Sequence, residues 1–336
     1  MPMDPIALTR DLVAIDSTTG REHEATAHLA RLLERAGWQV QLQPVHGGRA
    51  NLYATREPPV VVLTTHLDTV PPYIGLREDD TWLHGRGTCD AKGLAAAMVA
   101  AAETLAAAGE RRVGLLFVVG EENGSDGAKA TPLLEPKGRW IINGEPTEGL
   151  LTIGQKGVLR VTVETSGRAA HSAYPDEGRS AILPLLDALE RIRRLPLPSD
   201  PLLGAATMNI GTMHGGVAPN VIPAEGRAEL LYRTVSDVAR LRQEIEAAAR
   251  PHARITFPLE IPPVTAPSLP GWETTVVNFC SDLAFYGAWG TGYQYGPGTI
   301  RVAHTDEERI AKHDLLDGAT AYVRLVRELL ALDASA

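Results

Sequence analysis

The sequence predicts an α/β protein: a partly parallel sheet layered with helices, interrupted by a smaller β-α-β-β-α-β module. Three observations point there. Short apolar runs alternate with helical segments through the first half of the chain, the rhythm of strands joined by crossover helices. Several of those runs stop in His, Asp or Glu, and in open α/β sheets ligands gather beyond the carboxyl ends of strands. After Gly157 the order becomes strand, helix, strand, strand, helix, strand, that of a ferredoxin-like unit.

Taken in order, residues 5–36 read as a helical region, with Ala27, Leu29, Leu32, Leu33 and Ala36 on an apolar face and Gly37 as its stop. "WQVQLQPV" and "ANLYAT" are strand-like, and "VVVLTTH" reads as a buried strand. The alanine-rich stretch from Gly93 to Gly109 reads as a buried helix whose small side chains let it pack closely on a sheet. Glu103 interrupts that stretch, which falls short of a membrane span. "RRVGLLFVVGEE" and "RWIINGEP" are further apolar runs that finish in acidic residues.

The proline-rich segment from Pro258 to Pro270 reads as a connector. Beyond it, residues 271–336 read as a helix, a glycine-rich loop and a final helix, too little for an independent core. The expected division is therefore a first domain of residues 1–156 plus 264–336, with residues 157–263 inserted into it.

Composition narrows the function. With 336 residues, 44% of them apolar, the chain can build one large or two medium domains. A formal net charge of −9 disfavours nucleic-acid binding by a broad basic surface. Two cysteines, Cys89 and Cys280, form no disulfide framework and suit a reducing compartment. The opening "MPMDPIALTRDLVAID" has no cationic, apolar signal pattern. A soluble cytoplasmic protein without membrane attachment is expected.

His66, the Glu121–Glu122 pair, Glu145 and His304 each follow an apolar or glycine-rich run, and Asp90 opens the alanine-rich helix. Singly, each has an ordinary reading: a structural hydrogen-bonder, a solvated pair, a helix cap. Together, carboxylates and imidazoles at successive strand ends are a shell for two zinc-like cations, which take N and O ligands. Without cations, carboxylates so close would repel and raise one another's pKa values.

Seven motifs carry a stronger signal: "THLDTVP", "GRGTCDAKGLAAAM", "GEENGSDGA", "NGEPT", "GRAAHSAYPDEGRSAI", "APNVIPAEG" and "GPGTIRVAHTDEE". In this order they resemble the co-catalytic zinc amidohydrolases that include acetylornithine deacetylase, succinyl-diaminopimelate desuccinylase, aminoacylase and carboxypeptidase G2-type enzymes. The resemblance runs from about residue 8 to about residue 328. It implies a zinc-exopeptidase-like three-layer α/β/α catalytic domain, with the 157–263 insert as a dimerisation or lid domain.

By that resemblance His66, Asp90 and Glu145 would bind one metal ion, and Glu122 and His304 the second, with Asp90 bridging. The ions would be zinc, with cobalt or manganese as alternatives. Asp68 would accept a hydrogen bond from His66 and fix its tautomer, and Glu121 would be the general base. His171 would reach across a homodimer interface to the scissile carbonyl. Asn220 would line the substrate pocket, Gly298 would touch the substrate backbone, and Arg233 would hold an α-carboxylate. The peptide bond Asp90–Ala91 would be cis.

The implied activity is removal of an acyl group from an N-acyl amino acid, first an N-acetyl amino acid of arginine biosynthesis, then succinyl-diaminopimelate of lysine biosynthesis. A lysine or ornithine held on an amino-group carrier protein is a third substrate, and a dipeptidase or carboxypeptidase with the same site is the main alternative. A non-catalytic binding protein would have no need of an unligated Glu121. Two positions depart from the family pattern: Thr65 replaces a frequent glycine before His66, and Asp306 stands where proline is frequent.

Overall fold

The computed structural model describes residues 3–334. They form two compact units, one from residues up to Ile153, Ala266–Thr275 and Ser281 onward, the other from Gly154–Thr265 and Val276–Cys280.

In the first unit the central sheet runs in the order Gln39–Val45, Arg49–Thr55, Val113–Val118, Val61–His66, Trp140–Asn143, Thr291–Gln294, Leu151–Gln155. Val61–His66 lies parallel to both Val113–Val118 and Trp140–Asn143, and Thr291–Gln294 lies parallel to Trp140–Asn143. The register sets His66 opposite Val118 and Thr64 opposite Asn143. The segments leaving Val118 and Asn143 therefore start beside His66, and they carry Glu121, Glu122 and Glu145.

Alternation along the strands builds a core on each face. Val61, Leu63, Leu115, Phe117 and Ile142 face a cluster shared with the helices Pro5–Val13, His23–Arg35, Lys92–Ala107 and Lys312–Ala334. Val62, Leu116, Val118 and Ile141 face the other way, onto Ala128, Tyr286 and Trp289. Each such buried aliphatic side chain contributes roughly 1.5–3 kcal/mol relative to exposure. The result is the α/β/α layering expected. The alanine-rich helix needs its small residues at the start: a Cβ on Gly93 would lie 2.1 Å from the Thr88 carbonyl oxygen.

The second unit is a four-stranded antiparallel sheet in the order Thr207–Gly215, Glu225–Thr234, Gly157–Ser166, Arg254–Ile261. Helices Ile182–Arg193 and Ala239–Ala249 share one core with it, through Leu159, Val161, Leu185, Ile192, Tyr232 and Ile245. Chain order and sheet order together give the β-α-β-β-α-β unit.

Three local expectations differ from the structure. The segment 258–270 is not a plain connector: residues 258–261 finish the strand Arg254–Ile261, and Val264 and Thr265 pair with Gln155 and Gly154. The region 5–36 is two helices, Pro5–Val13 and His23–Arg35. Between them Asp16 accepts hydrogen bonds from the Thr18 amide and hydroxyl, and Thr18 bridges to Thr69. That tertiary link overrides helical propensity. Within the glycine-rich stretch after residue 271, Thr291–Gln294 is a strand inside the central sheet. Only four residues long and holding Gly292, it has no sequence pattern of its own. Among the described residues, no helix is long and apolar enough to cross a membrane.

Candidate active site

His66 ends its strand 1% exposed. Its Nδ1 faces the Asp68 backbone carbonyl at 2.9 Å and the Asp68 carboxylate at 3.5 Å. A carbonyl only accepts, so Nδ1 carries hydrogen and Nε2 points on to Asp90 Oδ1 at 3.0 Å. Asp90 Oδ2 lies 3.3 Å from His304 Nε2, which in turn lies 3.0 Å from the Glu122 carboxylate. One chain of contacts thus links His66, Asp90, His304 and Glu122, with Asp90 in the middle. Ligand atoms of His66, Asp90 and Glu122 lie within 4.8 Å of one another.

The turns that deliver these groups are held closely. Asp90 does not cap the alanine-rich helix: the cap position is Ala91, without a side-chain cap bond. The Asp90–Ala91 peptide is cis. His304 adopts a left-handed φ of 63°, a conformation uncommon outside glycine that surrounding structure must enforce. Gly298, at φ 81°, admits no side chain, since a Cβ would lie 2.7 Å from Cys89 Sγ.

Asp68 does more than face His66. Its Oδ1 accepts the Glu121 backbone amide at 3.0 Å, and its Oδ2 accepts the Glu122 amide at 3.1 Å and the Thr19 hydroxyl at 2.9 Å. One buried carboxylate therefore clamps the turn on which adjacent glutamates must point in different directions. Glu145 sits two residues past the end of the Trp140–Asn143 strand and is 4% exposed. Neither departure from the family pattern disturbs the set: the Thr65 hydroxyl donates to the Gly144 carbonyl, and Asp306 is exposed.

Electrostatics indicates what the cluster fits. Burial, then neighbouring carboxylates, push Glu145 and Glu121 well above the usual carboxylate range; for Glu121 the leading neighbour is Glu145. Burial and Asp90 raise Glu122 as well. Burial disfavours charge on His66, yet Asp68 and Asp90 outweigh it and raise its pKa well above normal, and Asp90 and Glu122 lift His304 to about 10. Left to themselves, Glu121, Glu122 and Glu145 are driven toward protonation, while the imidazoles are driven toward charge by Asp90 and Asp68, whose own pKa values are held down by those same imidazoles. Divalent cations would remove both costs. Two ligands of one tetrahedral ion at roughly 2.0–2.2 Å stand about 3.4 Å apart, close to the 3.0 and 3.3 Å found on either side of Asp90. The donor set fits hard or borderline cations.

The remaining candidates lie in the second unit. His171 sits in an exposed turn, where its Nδ1 accepts the Ala173 amide at 3.1 Å. This local bond assigns the hydrogen to Nε2, leaving the outer nitrogen a donor. Exposed Asn220 accepts the Ser172 amide on its backbone carbonyl, tying the His171 turn to the 218–222 loop. Arg233 is half-buried, and its Nη1 lies 3.8 Å from Cys280 Sγ.

Sequence reasoning passed over two buried acids. Glu308, 1% exposed, binds the loop that carries Asp90; its only sequence signal is its place four residues after His304. Asp282 is 2% exposed; among the described residues its Oδ1 has no hydrogen-bond partner, and burial, opposed by a Ser125 side-chain bond, raises its pKa to about 7. It adds to the negative field on Glu121 and Glu145.

Comparison with known proteins gives a consistent picture. The model of "Peptidase family M20/M25/M40" matches residues 62–328. A probable carboxypeptidase of Aspergillus clavatus is 37% identical, covering 97% of this chain and 82% of that protein. A peptidase M20 domain-containing protein of Schizosaccharomyces pombe is also 37% identical, over 96% and 84%. Among solved structures, a tripeptidase from Staphylococcus aureus superposes with a TM-score of 0.82 at 23% identity, covering 98% of each chain. A metallo-carboxypeptidase from Sulfolobus solfataricus gives 0.81 at 16%, covering 97% and 99%. At those identities the structures speak for the fold.

Proposed function

The chain belongs to peptidase family M20/M25/M40, and from that premise we propose that it is a metal-dependent exopeptidase cleaving the amide bond next to a free α-carboxylate in short peptides. It is a hydrolase of amide bonds. The finer reading rests on the relatives named probable carboxypeptidase, which favour a peptide over an N-acetyl amino acid or succinyl-diaminopimelate as substrate. The observation that carries the chemistry is the His66–Asp90–His304–Glu122 chain, with Glu121 beside it and clamped by Asp68.

His66, Asp90 and Glu145 would hold one cation, and Asp90, Glu122 and His304 a second, with zinc the leading identity. Bound there, divalent cations supply Lewis-acid polarisation of the scissile carbonyl and acidify the attacking water. Glu121, whose pKa burial and then Glu145 push well above the usual carboxylate range, takes the proton from that water and returns it to the leaving amine. Asp68 keeps Glu121 and Glu122 apart in orientation by holding both their amides.

His171 is assigned as the donor to the carbonyl oxygen from across a homodimer interface, Arg233 as the partner of the substrate carboxylate, and Asn220 and Gly298 each as a substrate contact. A homodimer through the inserted unit has support in the Thr207–Gly215 strand, which ends its sheet with Ile210 and Met213 exposed. Leu183 and Leu186 on the Ile182–Arg193 helix are exposed as well. Unpaired strand edges bearing apolar residues invite pairing with another copy.

The test is a kcat/KM comparison at defined zinc or cobalt loading. It sets dipeptides and tripeptides, each with a free or an amidated C-terminus, against N-acetylornithine and succinyl-diaminopimelate. Free-carboxylate peptides should lead. Faster turnover of either acyl amino acid would replace this reading with the deacetylase one.

A further inference from the structure

The Glu308 side chain is buried among donors. Its Oε1 accepts the backbone amides of Gly87, Cys89 and Asp90 at 2.8, 3.3 and 3.2 Å, and its Oε2 accepts Arg86 Nη1 at 2.6 Å. Its own backbone carbonyl accepts the Gly85 amide at 3.0 Å. Arg86, also buried, donates onward to the Thr305 carbonyl at 3.2 Å. Just past Glu308, Arg309–Ala311 pairs antiparallel with Trp82–His84. A short ladder thus continues as a side-chain zipper up to Asp90 on one strand of the zipper and His304 on the other.

Those two ends are the residues whose separation matters. Asp90 Oδ2 and His304 Nε2 stand 3.3 Å apart, and His304 is held at a φ of 63°. A carboxylate taking three backbone amides fixes a loop more firmly than any single bond, because charge-assisted bonds are the strong ones. Its charge is balanced by Arg86, so removing either partner leaves a buried charge unmatched.

We propose that Glu308 is a positioning residue that locks the loop of Asp90 to the loop of His304 and thereby sets the spacing between these two ligands. The inference rests on the metal reading of the site. Glu308 touches neither substrate nor cation; it acts through the backbone of Asp90. In Glu308→Gln, one oxygen remains for either the amides or Arg86, and the new NH2 group meets donors on the other side.

The experiment titrates the metal-free protein with cobalt(II), reading calorimetry and the visible d–d bands, and measures kcat and KM of the loaded enzyme. Glu308→Gln, shown folded by circular dichroism, should bind cobalt about 10–100-fold more weakly with altered bands, the scale of loss when a ligand's supporting partner is removed. Its kcat should fall while KM stays near the parent value. A folded variant with parental cobalt affinity and bands overturns the proposal. A second measurement needs no variant. On adding zinc to the parent protein, amide exchange in segments 85–90 and 304–308 should slow at the same zinc concentration; a response confined to 304–308 overturns the proposal equally. A parent protein that binds no cobalt would instead overturn the metal reading itself, and this inference with it.

Discussion

The two units place their candidate residues under opposite conditions. In the first, His66, Asp68, Asp90 and Glu145 are nearly inaccessible. His66 and Glu145 lie at or just past strand ends, Asp90 in the turn before the alanine-rich helix, and His66, Asp68 and Asp90 are hydrogen-bonded within the same unit. In the second, His171 and Asn220 sit on exposed turns tied to each other by backbone bonds, with the His171 ring bonded only to the Ala173 amide among the described residues. Apart from His304, whose side chain is half exposed, buried residues form the cage, with a geometry set on folding; the exposed turns of the second unit supply groups that act only when something is brought to them. Substitutions should therefore separate a cage phenotype from a presentation phenotype.

The largest effect should come from Glu121→Gln. Turnover should fall by about 10²–10⁴-fold, the span of general-base catalysis, while metal content measured by atomic absorption is unchanged. Retained activity would remove Glu121 as the base. Next, His171→Ala should lower kcat by about 10²–10³-fold, as loss of an oxyanion donor does, with cobalt binding and sedimentation behaviour unaltered. If cobalt affinity dropped too, the contrast between the units would fail. Asp68→Asn should weaken cobalt binding by about 10–100-fold and also slow turnover, because the same carboxylate holds both glutamate amides. A loss in only one readout would mean the clamp is not shared.

The smallest effect concerns Asp282. Burial lifts its folded pKa to about 7 from 3.8, so the folded state binds the proton more tightly than the unfolded one. The penalty is absent below the unfolded value, grows as pH rises, and is complete above the folded value. In the metal-free protein, Asp282→Asn should therefore stabilise more at about pH 8 than at about pH 5 in urea titrations. An equal or reversed difference would count against burial outweighing the Ser125, His66 and Lys129 contributions at Asp282.

Much of this arrangement could be read from residue order, for identifiable reasons. The strands ending at His66, Val118 and Asn143 are continuous apolar runs because both faces are buried, and such runs announce themselves. The β-α-β-β-α-β unit was legible because its strands and helices alternate in period, as in the Glu225–Thr234 strand. Asp90 stood out only as one member of a set, since an aspartate before a helix is commonly a cap. Glu308 was hidden beside Glu307 in "TDEE", where two adjacent acids look solvated; its role depends on amides more than two hundred positions away. The break at Asp16–Thr19 and the strand Thr291–Gln294 were equally opaque, because pairing with distant chain decides both.

Cys89 gives the cage a gauge of its own. Its Sγ is enclosed between the Thr299 carbonyl, at 3.4 Å, and the space that Gly298 leaves bare, and burial keeps the thiol protonated. A maleimide or disulfide reagent can reach that sulfur only while the 85–90 and 298–304 loops are parted. The rate of its labelling then measures how often the cage springs open, and cations that staple the loops should slow that clock.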